Sequence, residues 1–484
     1  MKTLAWMSGG ITIIVLTFAA ACGGSDSSPT PSPSPTPTLS PLIHTPGPTG
    51  APPETDFRLI YREYTPQEDI IWSALPTDPN QRQEIVRITH RDGYGVKASL
   101  SPDATIVAYL SLPEAAIGPD SSQAEAFVID LKSNEREPVM IATGVDYNYT
   151  PFWSPDSRLI YLRQYAGPEF LAANVMIVRV TVTHADDKTP TPTPTLPPGI
   201  APAPTPEPVE VVLKDSVAHV LSFAPIGFAD DKKSMFFVQE QGGTEASTLI
   251  GIYSPATTSG VDALHKLADD AWYAAQQENQ RLADEAAANG LPPPETTVTP
   301  APTPTPDARF VVQISDQAAF DYSLSPDTHK VAYLNQQITD TGDIRNQIYI
   351  ADLISAEAKP FGVPGVPDGE FLRPEWYLDG RITIGFLPAS GGPGQMLLMT
   401  LDGTDILFLY QSASGFDIPR WWSPDGKWLA VEHRSGGSLA NPGDGTIDLV
   451  SLTGQRFTVL GTAAAGPDTV LGWRNKDDIV LPEE

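Results

Sequence analysis

The apolar residues of this chain stand in short runs separated by polar, turn-forming residues. The segment 420–431 reads RWWSPDGKWLAV, in which two apolar runs flank the polar break Ser-Pro-Asp-Gly. Proline presets φ for the second position of a type I turn, and Ser and Asp side chains bond neighbouring backbone N–H groups. The flanking aromatic, β-branched and aliphatic residues are those that strands prefer. The segment therefore predicts a β-hairpin.

This hairpin pattern recurs along the chain. Three close and three degenerate further copies occur, at 100–110, 153–162, 324–334, 228–238, 376–386 and 473–481. The seven turns carry Asp103, Asp156, Asp231, Asp327, Asp379, Asp425 and Asp477. Subtracting these residue numbers gives intervals of 53, 75, 96, 52, 46 and 52 residues. A period of about 50 residues with two long intervals predicts a repeated unit with two insertions.

Each repeat continues with further strand patterns. Third strands are predicted at 126–131, 174–180, 248–253, 347–353, 395–401 and 446–452. Fourth strands are predicted in most repeats, among them 209–213, 309–314, 406–410 and 456–460. Four antiparallel strands in about 50 residues are typical of a propeller blade, which buries its faces against neighbouring blades. We therefore predict an all-β chain: a single β-propeller of four-stranded antiparallel blades with one inserted helix.

The repeat also resembles that of a known family. An aromatic-Ser-Pro-Asp-Gly turn, a following strand and a strand such as IYIADL (348–353) resemble the TolB-type, WD40-like β-propeller repeat. The resemblance extends from about residue 56 to the C-terminus and implies a propeller fold. It does not imply one activity, because this fold carries many unrelated functions.

The number of turns sets the predicted number of blades. Seven turn-bearing hairpins predict seven blades, with six and eight as alternatives. The last hairpin lacks third and fourth strands, for which 68–75 and 83–89 are candidates. Pairing of both chain ends in one blade would close the ring and remove exposed edges. The segments 57–63 and 477–484 compete for the second strand of that blade.

The N-terminus has the pattern of an export signal. An early lysine and an apolar run from Ile11 to Ala21 match such signals, and the run is short for a membrane span. Ala19-Ala20-Ala21-Cys22 resembles a bacterial lipobox, with Ala19 in place of the usual leucine. The resemblance implies a signal peptide at 1–21, a lipid on Cys22 and an extracytoplasmic, membrane-anchored protein. A plain secretory signal is the alternative.

Proline-rich segments divide the rest of the chain. Pro, Thr and Ser dominate 22–55, which predicts a semi-extended stalk, followed by the propeller at 56–484. Insertions are predicted at 184–208 and 257–308, the second with a helix at 260–289 that docks on the propeller or binds a partner. Both fall between a third and a fourth strand, so we expect them on the face that carries the Ser-Pro-Asp turns.

The net charge of the chain and the motifs that it lacks argue against some classes of function. A net charge of −29, from 59 acidic and 30 basic residues without a basic patch, argues against nucleic-acid binding. The calcium-loop pattern Asp-x-Asp-x-Asp-Gly is absent, and 441–448 (NPGDGTID) is interpreted as a hairpin loop. No metal site and no cofactor are predicted.

Candidate catalytic residues are few. The sequence contains no G-x-S-x-G and no H-E-x-x-H motif. The turn aspartates are predicted to be structural, and no catalytic residue is predicted. The tryptophans before the turns are predicted to pack between blades: Trp153, Trp376, Trp422 and Trp473. The histidines stand singly and are interpreted as surface or strand residues: His44, His90, His184, His219, His265, His329 and His433.

Two functional hypotheses follow. The first is a surface-anchored propeller that binds a protein, peptide or glycan and has no chemistry of its own. The second is a propeller enzyme of the hydrolase or lyase type, which needs acidic, His or Tyr side chains that converge in the central channel from several blades. The absence of a catalytic motif favours the binding protein.

Overall fold

The structure is a computed structural model, and its described residues carry the propeller strands. They are 42–44, 51–116, 123–165, 173–180, 209–215, 222–241, 247–253, 280–286, 288, 308–315, 319–338, 344–362, 369–461 and 469–482. All belong to one compact unit that spans residues 40–484. The predicted signal peptide, Cys22 and most of both insertions lie outside the described residues. In the described part, no helix is long and apolar enough to cross a membrane.

The strands follow one another in four-stranded groups. The N-terminal segment forms β1 (Leu42–His44), β2 (Phe57–Tyr64), β3 (Glu68–Leu75) and β4 (Asp78–Thr89). Blade 1 consists of β5 (Lys97–Leu100), β6 (Ile106–Ser111), β7 (Ala124–Asp130) and β8 (Pro138–Val145). Blade 2 consists of β9 (Phe152–Trp153), β10 (Leu159–Tyr165), β11 (Ala173–Val180) and β12 (Val209–Asp215). Blade 3 consists of β13 (Ser222–Phe228), β14 (Met235–Gln241), β15 (Ser247–Tyr253) and β16 (Ala308–Ser315).

The second half of the chain continues the pattern. Blade 4 consists of β17 (Ala319–Leu324), β18 (Lys330–Ile338), β19 (Ile344–Asp352) and β20 (Glu357–Pro360). Blade 5 consists of β21 (Gly369–Trp376), β22 (Ile382–Pro388), β23 (Gln395–Met399) and β24 (Asp405–Gln411). Blade 6 consists of β25 (Phe416–Trp422), β26 (Trp428–Arg434), β27 (Gly445–Ser451) and β28 (Arg456–Leu460). Blade 7 joins β29 (Val470–Asn475) to β2, β3 and β4. The described strands thus form seven blades, as the turn count predicts.

Blade 7 closes the ring with strands from both ends of the chain. The C-terminal strand β29 pairs antiparallel with β2, and β3 and β4 follow as the third and fourth strands. The segment 57–63 is therefore the second strand, while 479–482 lie outside the strands. From β29, Arg474 Nε and Nη2 donate to the carbonyls of Ser101 and Leu100 in blade 1, at 2.9 and 2.6 Å. Burial lowers the pKa of Arg474 to about 10.

The apolar core lies between the blades. Buried clusters join blades 7 and 1, 1 and 2, 3 and 4, 4 and 5, 5 and 6, and 6 and 7. Between blades 2 and 3, Phe152 stacks on Phe228 with ring centroids 5.6 Å apart. Fully burying one large apolar side chain contributes about 1.5–3 kcal/mol, so closing the ring stabilises every blade. This inter-blade core establishes the β-propeller.

Tryptophans tie neighbouring blades together by hydrogen bonds as well as packing. Trp376 Nε1 donates to the Ser323 carbonyl of blade 4 at 2.9 Å, and Trp473 Nε1 donates to the Trp421 carbonyl of blade 6 at 3.0 Å. Trp422 instead donates to Thr383 Oγ1, at 2.8 Å. The predicted inter-blade role of these tryptophans is confirmed, and a single sequence could not have identified the acceptors.

The alternation of strands defines two faces. In an antiparallel sheet, successive connections lie at opposite ends of the strands. The Ser-Pro-Asp turns and the connections from third to fourth strands share one end, named here the turn face. The remaining connections form the opposite face. Val180 pairs with Val209 and Tyr253 with Ala308, so the ends of both insertions lie at the turn face.

Two segments outside the blades have described structure. Within the predicted stalk, β1 pairs in parallel with β24 and adds a fifth strand to blade 5. Further along, the Pro53 carbonyl accepts a hydrogen bond from Trp428 Nε1 at 3.0 Å. The end of the segment predicted as a spacer thus contacts blades 5 and 6. Of the helix predicted at 260–289, residues 280–286 are described and helical.

Candidate functional site

The turn aspartates hold the local turn geometry. Asp327 accepts hydrogen bonds from Ser325 Oγ at 2.5 Å and from the His329 N–H at 3.1 Å. The hydrogen bond from Ser325 lowers the pKa of the Asp327 carboxyl. Equivalent bonds to a side-chain hydroxyl or backbone N–H are accepted by Asp103, Asp156, Asp231, Asp379 and Asp425. This geometry supports the predicted structural role, which stays a prediction.

Asp477 lies in a different setting. It follows β29, whose partner β2 comes from the other end of the chain, so no hairpin joins the two strands. Its backbone N–H donates to Asn475 Oδ1 at 3.0 Å, so the asparagine supplies the acceptor at this turn. The seventh aspartate of the repeat therefore sits in a turn without the hairpin that the sequence predicts.

The residue after the turn aspartate has a left-handed backbone. Gly380 and Gly426 occupy this position with φ of 86° and 68°. In four other turns a non-glycine residue takes the same conformation: Ala104, Ser157, Lys232 and Thr328, with φ from 55° to 60°. Because a Cβ makes this conformation costly, the repeat stores strain wherever glycine is missing.

The opposite face of blade 7 contains a buried ionic group. The Asp69 carboxylate is fully buried and accepts hydrogen bonds from Arg62 Nη1 at 2.8 Å and from the Val96 N–H at 2.6 Å. His90 Nε2 lies 3.6 Å from Asp69 Oδ1, and its ring stacks on Tyr64 at 5.8 Å. Burying an ionised carboxylate is costly without such partners, so this group fixes the loop that leads into blade 1.

Tyrosines and cations continue across blades 1 and 2. The Arg91 guanidinium lies over the Tyr94 ring at 4.7 Å, and the Lys97 ammonium lies 5.9 Å from the Tyr147 ring. Arg163 lies over Tyr149 at 4.1 Å. Together with the group in blade 7 they form what we name the aromatic–basic cluster: Arg62, Tyr64, Arg91, Tyr94, Lys97, Tyr147, Tyr149 and Arg163. The side chains of Arg62 and Arg163 are only 12% and 7% exposed, whereas the other members are partly exposed.

The central channel wall contains a second ionic group. Glu375 on β21 is 9% exposed and accepts a hydrogen bond from Ser323 Oγ at 3.2 Å, while Arg373 Nη2 lies 3.4 Å away. In blade 6, Glu432 accepts from Arg420 Nε at 2.9 Å and pairs with Arg434. Burial raises the pKa of Glu375 to about 7 and outweighs the opposing effect of Arg373.

Both glutamates are paired with arginines rather than with another acid, His or Tyr. In the described part of the chain, no group of three His, Cys, Asp or Glu residues could hold a metal ion. The segment 441–448 includes the end of the loop between β26 and β27, where the Asp444 N–H donates to Ser435 Oγ at 3.0 Å.

His433 lies on strand β26, as the sequence interpretation allows, whereas the side chain of His90 is buried beyond the end of β4. His90 and His433 each approach an aspartate, His90 as above and His433 Nδ1 at 2.9 Å from Asp417 Oδ1. Each pair joins residues on different strands or loops, so sequence spacing gives no sign of it. His329 lies exposed beside its turn, while His184, His219 and His265 lie outside the described residues.

These features define the class as a seven-bladed β-propeller closed by both chain ends. No protein-family model and no curated protein matches the chain. Among solved structures, TolB from Acinetobacter baumannii is similar at 13% identity and a TM-score of 0.37, over 86% of this chain and 82% of that one. The β-propeller domain of the Trilobed protease from Pyrococcus furiosus is similar at 11% identity and a TM-score of 0.43, over 85% and 96%. An oligogalacturonate lyase in complex with manganese is similar at 9% identity and a TM-score of 0.42, over 83% and 84%.

Proposed function

We propose that this protein is a membrane-tethered, extracytoplasmic propeller that binds a protein segment on its opposite face. The tether is the lipid proposed on Cys22. The observation that carries the binding role is the aromatic–basic cluster of blades 7, 1 and 2. Tyr and Arg are the residues in which binding hot spots are enriched, because they combine large contact area with directed polar groups.

The charged side chains of the aromatic–basic cluster indicate which kind of protein segment complements it. The molecule carries a net charge of −29, yet the cluster concentrates four basic side chains, Arg62, Arg91, Lys97 and Arg163. The nearby Asp69 and Asp146 are buried and lie beside Arg62 and Arg163, at 2.8 and 3.4 Å. A segment that carries carboxylates and aromatic or apolar residues therefore complements the partly exposed Arg91 and Lys97 and the tyrosine rings beside them.

The cluster is also preorganised. Tyr147 Oη donates to the Gly95 carbonyl, and Arg91 Nη1 donates to the Ala116 carbonyl at 2.9 Å. Side chains held in place before binding lose less conformational entropy on association. The turn face, in contrast, carries the ends of both insertions, which leaves the opposite face for the partner.

Site-specific photocrosslinking on intact cells tests the proposal. A photoreactive phenylalanine derivative replaces Tyr94 in the cluster or, as a control, the exposed Leu378 on the turn face. We expect a discrete crosslinked protein from position 94 that disappears in the double variant Arg91→Glu, Lys97→Glu. Crosslinks that are equal from both positions, or that survive the charge reversal, would contradict the proposed face.

A further inference from the structure

A polar crevice opens between blades 5 and 6, away from the aromatic–basic cluster. Its volume is about 440 Å³. Tyr410, on the fourth strand of blade 5, forms one wall, and blade 6 supplies the other wall from three strands: His433, Thr446, Asp448, Arg456 and Thr458. Pockets of this size accept small molecules, and convergent polar groups set their specificity.

Asp417 organises the inner end of the crevice. This carboxylate is 2% exposed and accepts hydrogen bonds from His433 Nδ1 at 2.9 Å, from Arg456 Nη1 and Nη2 at 3.0 and 2.8 Å, and from Ser412 Oγ. Burial opposes ionisation, but the bonds from His433 and Arg456 outweigh it and lower the pKa of Asp417 to about 2. The aspartate is thus a positioning residue for two side chains that line the crevice.

Asp448 fixes the second side of the guanidinium. It is 3% exposed and accepts from Arg456 Nε at 2.5 Å and from Thr446 Oγ1 at 3.1 Å. Arg456 also lies 5.4 Å from the ring of Tyr410. Two buried carboxylates therefore hold one guanidinium in a single orientation, although 28% of its side chain stays exposed.

The charges of this group nearly cancel. Two carboxylates face one guanidinium and one imidazole, so the sum is zero with His433 protonated and −1 with it neutral. An anion gains little, because both carboxylates adjoin the guanidinium of Arg456 and Asp448 itself lines the crevice. A cation finds no free carboxylate, because Asp417 and Asp448 already accept several hydrogen bonds. This near-cancellation of charge in the crevice favours an uncharged ligand.

The polar atoms that face the crevice both donate and accept. With Nδ1 bonded to Asp417, Nε2 on the other side of the imidazole is the nitrogen with which His433 can meet a ligand. Arg456 lines the crevice with N–H groups that can only donate, and the hydroxyls of Thr446 and Thr458 can both donate and accept. A ligand hydroxyl also donates and accepts, and the ring of Tyr410 offers an apolar wall. We infer that the crevice binds an uncharged pyranose, as a free sugar or a glycan terminus.

Packing between blades 5 and 6 alone would not require a buried ionic network. A buried ionic network contributes little net stability relative to apolar side chains of similar volume. A network with partly exposed ends in an open crevice is, in contrast, what a preorganised polar binding site needs. This inference does not depend on the proposed protein-binding face, which lies on other blades.

Saturation-transfer NMR with the full-length protein tests the inference. The probes are glucose, galactose, mannose and N-acetylglucosamine at millimolar concentration, with glucuronate and glucosamine as charged pyranoses of the same size. We expect transfer to at least one neutral sugar and little to the charged pair.

Matched variants locate the site. Ser414→Trp fills the crevice from its exposed rim and leaves the ionic network intact, whereas Ser355→Trp places the same residue at an exposed turn of blade 4. His433→Asn keeps a donor to Asp417 and removes the nitrogen that faces the ligand. We expect transfer to fall at least several-fold in Ser414→Trp and His433→Asn and to persist in Ser355→Trp. Transfer to none of the neutral sugars, stronger transfer to a charged sugar, or full transfer in Ser414→Trp would overturn the inference.

Discussion

The buried glutamate of the channel wall gives the propeller a specific pH dependence. Glu375 has its pKa raised from 4.5 to about 7, chiefly by burial. A carboxyl whose pKa is higher in the folded state favours folding in its protonated form. Its stabilising contribution is complete below pH 4.5 and is lost as the pH rises to about 7. One pKa unit corresponds to about 1.4 kcal/mol, so the loss is about 3 kcal/mol.

Replacing the ionisable group should remove this loss. Glu375→Gln keeps an oxygen that can accept from Ser323 Oγ and cannot ionise. At pH 4 we expect wild type and variant to have similar free energies of unfolding, and at pH 8 the variant to be more stable by about 3 kcal/mol. Urea unfolding followed by tryptophan fluorescence measures both values, with the exposed Glu357→Gln as the control. A difference between wild type and Glu375→Gln that is the same at both pH values would refute the reasoning.

Three further predictions concern the anchor and the turns. Cys22→Ala should release the protein from membranes or leave its precursor unprocessed, and an unmodified Cys22 in the membrane-bound wild type, seen by intact-mass analysis, would exclude the lipid. Asp425→Ala should lower the free energy of unfolding by about 0.5–2 kcal/mol, because the carboxylate loses the hydrogen bonds that it accepts within the turn. Asp477→Ala should lower it by much less, because Asn475 supplies the acceptor at that turn. Equal losses of the two variants in urea unfolding would contradict this difference. Lys232→Gly should raise the free energy of unfolding by about 0.5–1 kcal/mol by relieving the left-handed backbone, whereas the adjacent Lys233→Gly should lower it.

Local patterns predicted most of the fold. The Ser-Pro-Asp turn, its flanking apolar runs and its period fixed the strands of each blade, because these elements depend on residues close in sequence. The sequence does not distinguish 57–63 from 477–484 as the second strand of blade 7, because both have the same local pattern. The pairing of β29 with β2, together with its contacts with blade 1, identifies 57–63 as that strand. Nothing in the proline-rich sequence around 42–44 predicts that β1 pairs with β24.

The candidate sites were beyond the reach of sequence reasoning. The aromatic–basic cluster gathers residues from three blades, and the crevice joins Tyr410 of blade 5 to Arg456 of blade 6. Such juxtapositions follow from the ring and not from spacing along one strand. His433 appeared as an isolated strand residue because its partner, Asp417, lies on the neighbouring strand. Repeat motifs identify a scaffold, whereas the residues that differ between repeats form its sites.

A crosslink between the two chain ends tests the closed ring most directly. In the Cys22→Ala background, Phe57→Cys and Asn475→Cys place two thiols on directly opposed residues of β2 and β29. Opposed residues of an antiparallel pair have Cα atoms about 4.5–5.5 Å apart, which suits a disulfide. Mild oxidation of the native monomer should join the two peptides in a mass spectrum, whereas the control pair Phe57→Cys with Lys232→Cys should stay reduced. Failure of the first pair to crosslink, or equal crosslinking of the control pair, would contradict the closure of blade 7.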